Sequence, residues 1–149
     1  NVAKITVVGV PNHPGMAREI FVRLAWANAS VDTIVQNVGG NGVTDVTFTV
    51  ARTDVLKARS IVEPVARTIG AAKVTSDETL GKVSIIGTGM QNTPGYAARM
   101  FNALAESDIN IELITTSEIR ITCIVSESRL KDAVQALHRA FDVEFRQSE

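Results

Sequence analysis

The sequence predicts an α+β fold made of two βαββαβ units in tandem, and two observations carry that prediction. First, the chain repeats itself. KITVVG (Lys4–Gly9) matches KVSIIG (Lys82–Gly87) at an offset of 78, and Pro14-Gly15 matches Pro94-Gly95 at an offset of 80. Second, short β-rich runs and stretches of helical periodicity follow one another in the same order in both copies.

The first element of each copy is a short strand, residues 4–9 and 82–87. A helix follows over 14–28 and 94–108. Ala17, Ile20, Phe21, Leu24 and Ala25 make its apolar stripe in the first copy, and Ala97, Met100, Phe101, Leu104 and Ala105 in the second. Proline opens both patterns, where the missing N–H costs a helix nothing. Strands are expected next at 31–37 and 110–115, with Val31 and Ile34 meeting Ile111 and Ile114, and then at 45–50 and 119–125. The pair VTFTV (Val46–Val50) and ITCIV (Ile121–Val125) matches at an offset of 75. The change of offset is absorbed by the glycine-rich NVGGNG (Asn37–Gly42).

A second helix follows, carrying Val55, Ala58, Val62, Val65 and Ile69 in one copy and Leu130, Ala133, Val134, Leu137 and Phe141 in the other. Thr53 and Ser126 or Ser128 are plausible caps. Pro64 inside the first of these helices is expected to kink it. Closing strands are expected at 72–76 and 142–146, with SDETLGK (Ser76–Lys82) as the junction. This order is the ferredoxin-like motif, an antiparallel sheet with helices on one face. The expected units are residues 1–77 and 78–149, with terminal strands open to exchange between them. One sheet face of each unit is left bare, so pairing of units or of chains is expected.

The composition narrows the functional classes. Of 149 residues 45% are apolar but only 5% aromatic, so the core must be aliphatic. Fifteen basic and sixteen acidic residues give a net charge of −1, which provides no field for nucleic acid or an anionic membrane. No apolar run reaches the roughly 18–20 residues that span a bilayer. NVAKITVVGV lacks the layout of a secretory signal, and its start in a strand approach points to residues upstream. The single cysteine, Cys123, excludes a disulfide framework and makes a reducing cytoplasm the default; in IRITCIVS it reads as an inert buried thiol.

Two turns carry the functional reading: GVPNHPGMA (Gly9–Ala17) and GMQNTPGYA (Gly89–Ala97). A helix N-terminus offers unpaired N–H groups and a partial positive charge. Each turn could hold a small carboxylate, against the amides of Gly15, Met16 and Ala17 or of Gly95, Tyr96 and Ala97. Pro-Gly at a helix start is also plain architecture. Other chemistries find less support. GTGMQNTPG (Gly87–Gly95) lacks dinucleotide-loop spacing, and no Walker lysine exists. His13 and His138 have no ligand-spaced partners, so neither a metal site nor a Ser-His-Asp set is expected, and no catalytic residue is assigned. Asp32, Glu112 and Glu118 read as solvated strand residues. Trp26 reads as covering an interface or the rim of the core.

KITVVGVPNHPGMA, TIVQNV, TDVTFTV, KVSIIGTGM, PGYAARMFNALAESDINIELITTSEIRITCIV and ALHRAF together resemble the tandem ACT region of the aspartate kinases. The resemblance covers essentially the whole chain, and NIELITTSEIRI is its most specific part. It implies a regulatory piece without the kinase domain, pairing with a second chain through its repeats and serving a catalytic domain or catalytic subunit. It needs no cofactor. Threonine, lysine or both would bind as feedback effectors between repeats, at Asn12, Pro14, Gly15, Met16, Ala17 and Gln36, with Asn110 and Ile111 across the interface. Met90, Gln91, Thr93, Pro94, Gly95 and Tyr96, with Thr116 and Ser117, form the equivalent second site. The family usually has aspartate where this chain has Asn12. A dimerisation scaffold that binds nothing is the competing reading.

Overall fold

The computed structural model describes residues 1–38, 41–87, 95–117 and 119–141. Contacts divide the chain into two compact units, Val2–Glu78 and a second from Thr79 onward.

The first unit contains β1 (Val2–Pro11), α1 (Met16–Trp26), β2 (Ile34–Val38), β3 (Val43–Ala51), α2 (Val55–Ile69) and the first half of β4 (Lys73–Ile86). Its strands lie in the order β2-β3-β1-β4. β3 pairs antiparallel with both β1 and β2, which sets Ile5 and Ile34 on either side of Phe48 and sets Val7 and Gln36 on either side of Val46. Opposed residues share a face. Ile5, Val7, Val46 and Phe48 therefore form one apolar layer, with Ile20 and Leu24 of α1 and Ala58 and Val62 of α2 packed into it. All eight are essentially inaccessible to water. On the other face Thr6 and Thr47 join their hydroxyls at 3.0 Å.

The second unit contains the rest of β4, α3 (Tyr96–Glu106), β5 (Ile111–Thr116), β6 (Arg120–Ser126) and α4 (Leu130–Phe141). Its described strands run β4-β6-β5, antiparallel at both pairings. The core repeats the first: Ile85, Ile121, Cys123 and Val125 from the sheet, Met100 and Leu104 from α3, Ala133, Leu137 and Phe141 from α4. Ser84 and Thr122 reproduce the hydroxyl pair at 2.7 Å. Cys123 is buried with Sγ 3.9 Å from Met100 Sδ, and burial pushes its thiol up to about 11.

The two first helices also end alike. Asn28 and Asp108 adopt left-handed φ values of 61° and 59°. Ala29 and Ile109 donate back to the carbonyls of Leu24 and Leu104, at 2.9 Å in each case. This is a Schellman ending, made with short polar residues that tolerate that conformation.

Two expectations are corrected. Ser76–Lys82 holds the boundary between the two units but is not a connection between two strands: β4 runs for fourteen residues straight through it. Nothing between Val74 and Leu80 breaks a strand, and Gly81 is there to admit Leu130, whose Cδ2 would lie 2.8 Å from a Cβ at that position. Thr53 and Ser126 do not cap α2 and α4. Single 3-10 turns, Arg52–Asp54 and Glu127–Arg129, precede those helices and displace the caps, and Ser128 lies inside the second of them. Pro64 lies inside α2, which runs on past it to Ile69. The carbonyl of exposed Ser60 is the one deprived of its N–H, and water can serve it. The closing strand expected at 142–146 lies outside the described residues.

Candidate functional site

The first turn begins where β1 loses register. Between Val7 and Val10 the pairing with β3 slips by one residue, from Val7↔Val46 to Val10↔Thr44. Gly9 sits in this bulge at φ 74°. Its N–H donates to Asp45 Oδ1 at 3.0 Å. The chain leaves β1 at Pro11, and Asn12 N–H donates to the Gly42 carbonyl at 3.0 Å, which ties the turn to the β2–β3 connection.

Gly15 then heads α1 in the left-handed conformation, φ 90° and ψ −9°, with no side chain capping the helix. A Cβ on Gly15 would meet nothing within 4 Å. The glycine is therefore required by the backbone, and the space beside it is open. Met16 N–H turns back to the His13 carbonyl at 3.3 Å and Glu19 N–H bonds the Gly15 carbonyl at 3.1 Å. The amides of Ala17 and Arg18 between them lie in the helical turn that has no carbonyl to bond. Asn12, His13, Pro14 and Gly15 are exposed, while Met16 and Ala17 are half-buried.

Gln36 is exposed on β2, the strand at the sheet edge. It stands in the row Val7–Val46–Gln36, two strands from β1 and so roughly 10 Å from its backbone. Gln36 and the first turn share one end of the sheet without touching through β3. Asn110 and Ile111 belong to the second unit, at the head of β5, the first exposed and the second half-buried.

The second turn follows the first where it is described. Gly95 heads α3 at φ 101° and ψ −14°, again with no side-chain cap and nothing within 4 Å of a Cβ. Arg99 N–H bonds its carbonyl at 2.9 Å. Tyr96 turns inward, its ring 6.4 Å from that of Phe141, so the aromatic side chain serves the core. Thr116 ends β5 and is exposed, as is Ser117, whose N–H bonds the Arg120 carbonyl at 2.8 Å. Met90, Gln91, Thr93 and Pro94 lie outside the described residues, and so does Glu118.

Trp26 ends α1 with 78% of its surface exposed, so it is not part of the core rim. Clefts of about 320, 350 and 300 Å³ lie along helix flanks, between α2 and β4, α3 and α4, and α1 and α2, none lined by turn residues. Among the described residues no three of His, Cys, Asp and Glu gather as metal ligands, and no helix is long and apolar enough to cross a membrane. Asp45 is the member of this site that sequence reasoning passed over. The available signal was the offset of 75, which sets it against Arg120 in the second copy.

Residues 83–141, which hold the glycine-headed α3 and its antiparallel strands, match the ACT domain family. The regulatory subunit of aspartate kinase from Thermus thermophilus, in its ligand-free form, superimposes with a TM-score of 0.89 at 38% identity, over 95% of this chain and 93% of that one. A structure of aspartokinase alpha and beta subunits contains a chain matched at TM-score 0.88 and 43% identity, with the same coverage. Aspartate kinase of Pseudomonas putida is 48% identical over 142 residues, 95% of this chain and 34% of that protein. The chain belongs to the aspartate kinase family, as its ACT-domain regulatory part. It spans about a third of the length of the curated relatives it matches.

Proposed function

We propose that this chain senses threonine, lysine or both on behalf of an aspartate kinase, and that effector binding inhibits the kinase. The observation that carries this reading is the pair of turns headed by Gly15 and Gly95, each with left-handed φ, no described side chain capping the helix and open space beside the glycine. An α-amino acid is a zwitterion, and its carboxylate suits such a helix end. Asn12 supplies a neutral side-chain oxygen for the ammonium group in place of the carboxylate usual in the family. Gln36 is suited to a threonine hydroxyl, and a lysine ammonium group would call on Asp32 or Glu112.

The first turn and Gln36 are exposed in the single chain. A small zwitterion needs more burial than such a surface provides, so the effector is enclosed by a second protein surface. Asn110 and Ile111 are proposed to provide it, in a homodimer formed through the repeats. Ile34 and Ile114, exposed at matching positions of edge strands β2 and β5, support that pairing. The relative solved with alpha and beta subunits supports a catalytic partner, and the cytoplasm is the proposed compartment.

Calorimetry of this chain with threonine and with lysine, alongside light scattering, tests the reading. Saturable binding by a dimer is expected. A dimer that takes up neither amino acid would leave the scaffold reading standing.

A further inference from the structure

The two repeats diverge where the first strand of each hands over to its turn. In the first repeat the extra residue of the bulge takes the Gly9 N–H out of the β1–β3 ladder, and a half-buried N–H still calls for an acceptor. Asp45 Oδ1 supplies it at 3.0 Å. Position 9 calls for glycine, since its φ is 74° and a Cβ there would stand 3.0 Å from that of Ala72. The neighbours of Asp45 secure the same corner. Thr44 donates its hydroxyl to the Asn37 carbonyl on β2, and Asn12 N–H donates to the Gly42 carbonyl. The segment Gly42–Asp45 thus fastens the end of β1, the turn itself and the strand that carries Gln36.

In the second repeat the matching positions are Gly87 and Arg120. Gly87 N–H bonds a main-chain carbonyl, that of Ile119, at 2.8 Å, and the strand pairs with β6 regularly up to Ile86↔Arg120. Among the described residues no carboxylate takes part.

We infer that Asp45 is a positioning residue for the first turn, holding through Gly9 the register in which the α1 amides and Gln36 face one ligand. The inference rests on the reading of the first turn as an effector site. Fastening by a carboxylate sets the first turn through a side chain. Affinity at the first turn therefore depends on a residue that need not touch the effector.

Three variants of the full chain test this: Asp45→Ala, Asp45→Asn and, as the matching control, Arg120→Ala. Calorimetry with threonine and lysine is read beside amide NMR spectra of the ligand-free protein. Asp45→Ala should weaken binding roughly 10-fold, as loss of a bond to a charged acceptor implies, and should move the amide resonances of Gly9 through Arg18. Asp45→Asn keeps an oxygen for Gly9 and should bind within about 3-fold of the natural chain; Arg120→Ala should move neither the first-turn amides nor their affinity. Should Asp45→Ala not fold, Asp45→Thr removes the same contact with a residue that favours strands. Unchanged turn resonances and unchanged affinity in the variant lacking the carboxylate would overturn the inference. So would equal losses in the alanine and asparagine variants, since charge rather than position would then be at work. If the natural chain binds neither amino acid, the effector reading alone fails, and the ligand-free spectra still decide the inference. Turn resonances moved by alanine and not by asparagine uphold it, and any other pattern refutes it.

Discussion

The rings of Phe21 and Phe48 meet edge to face, with centroids 5.4 Å apart and planes inclined at 74°. Phe48 is wholly buried in β3 and Phe21 half-buried on α1, so this pair fixes the helix that the first turn opens onto its sheet. Truncating a buried phenylalanine costs about 3–5 kcal/mol. Phe48→Ala should lose that much in chemical denaturation. A double-mutant cycle with Phe21→Ala should return a coupling of about 0.5–1.5 kcal/mol beyond lost burial. A coupling near zero would mean that the rings touch without orienting the helix.

Gly15 separates backbone demand from ligand access. Its φ of 90° costs a residue with a Cβ about 1–2 kcal/mol, and valine, branched at Cβ, suffers most. Asparagine tolerates this region, and its side chain would enter the open space beside the glycine. Gly15→Asn is therefore expected to fold with a small loss in melting temperature and to lose threonine and lysine binding in calorimetry. Native affinity in that variant would show that no carboxylate sits at the head of α1.

For Gln36 two ligands serve better than one. A net hydrogen bond is worth about 0.5–1.5 kcal/mol, so Gln36→Ala should weaken threonine roughly 3- to 10-fold. 2-Aminobutyrate, which lacks the hydroxyl, should lose much less. Equal losses would assign Gln36 to the ammonium group or to the shape of the site.

The edge strands offer a test of assembly. Ile34 and Ile114 are 56% and 44% exposed, on β2 and β5. A lysine on an edge strand discourages pairing. Ile34→Lys and Ile114→Lys are expected to shift light scattering from dimer towards monomer, the double variant most. A dimer unaffected by both substitutions would locate the contact elsewhere.

Cys123 predicts a pH response of the fold. Burial raises its thiol from 9.0 to about 11, so the folded chain holds that proton more tightly than the unfolded chain does. The associated stability is fully present below pH 9 and is lost as pH rises towards 11. Cys123→Ser does not titrate there, so denaturation midpoints of the two proteins, compared across pH 8–11, should converge as pH rises. Thiol reagents at pH 8 should react only as fast as the second unit opens.

Sequence alone reached the strand and helix order, because the apolar stripes of α1 and α3 and the matched strands VTFTV and ITCIV are local and repeat. It also reached Gly15 and Gly95, which head α1 and α3. It missed the continuity of β4, since Asp77-Glu78-Thr79 is polar enough to look like a connection, and what keeps it extended is pairing with distant strands. The caps of α2 and α4 were misplaced because Arg52–Asp54 and Glu127–Arg129 add one tighter turn ahead of each helix. Asp45 was illegible for a related reason. Its bond to Gly9 exists only because the register slips between Val7 and Val10, and register belongs to the paired strands rather than to either alone.

The unbroken β4 has a consequence for synthesis. Ala72 N–H bonds the Val8 carbonyl at 2.8 Å at its approach, and its first half lies beside β1, which has already left the ribosome when Lys73 appears. Leu80–Ile86 pairs with Arg120–Ser126, which emerges some forty residues later. At an elongation rate of about 5–20 residues per second, that half-strand waits for seconds as a bare edge. Leu80, Val83 and Ile85, all buried in the finished protein, are in view throughout. Nascent chains arrested after Leu80–Ile86 has left the exit tunnel and before Arg120–Ser126 has followed should therefore be the ones that recruit chaperones or pair wrongly with one another.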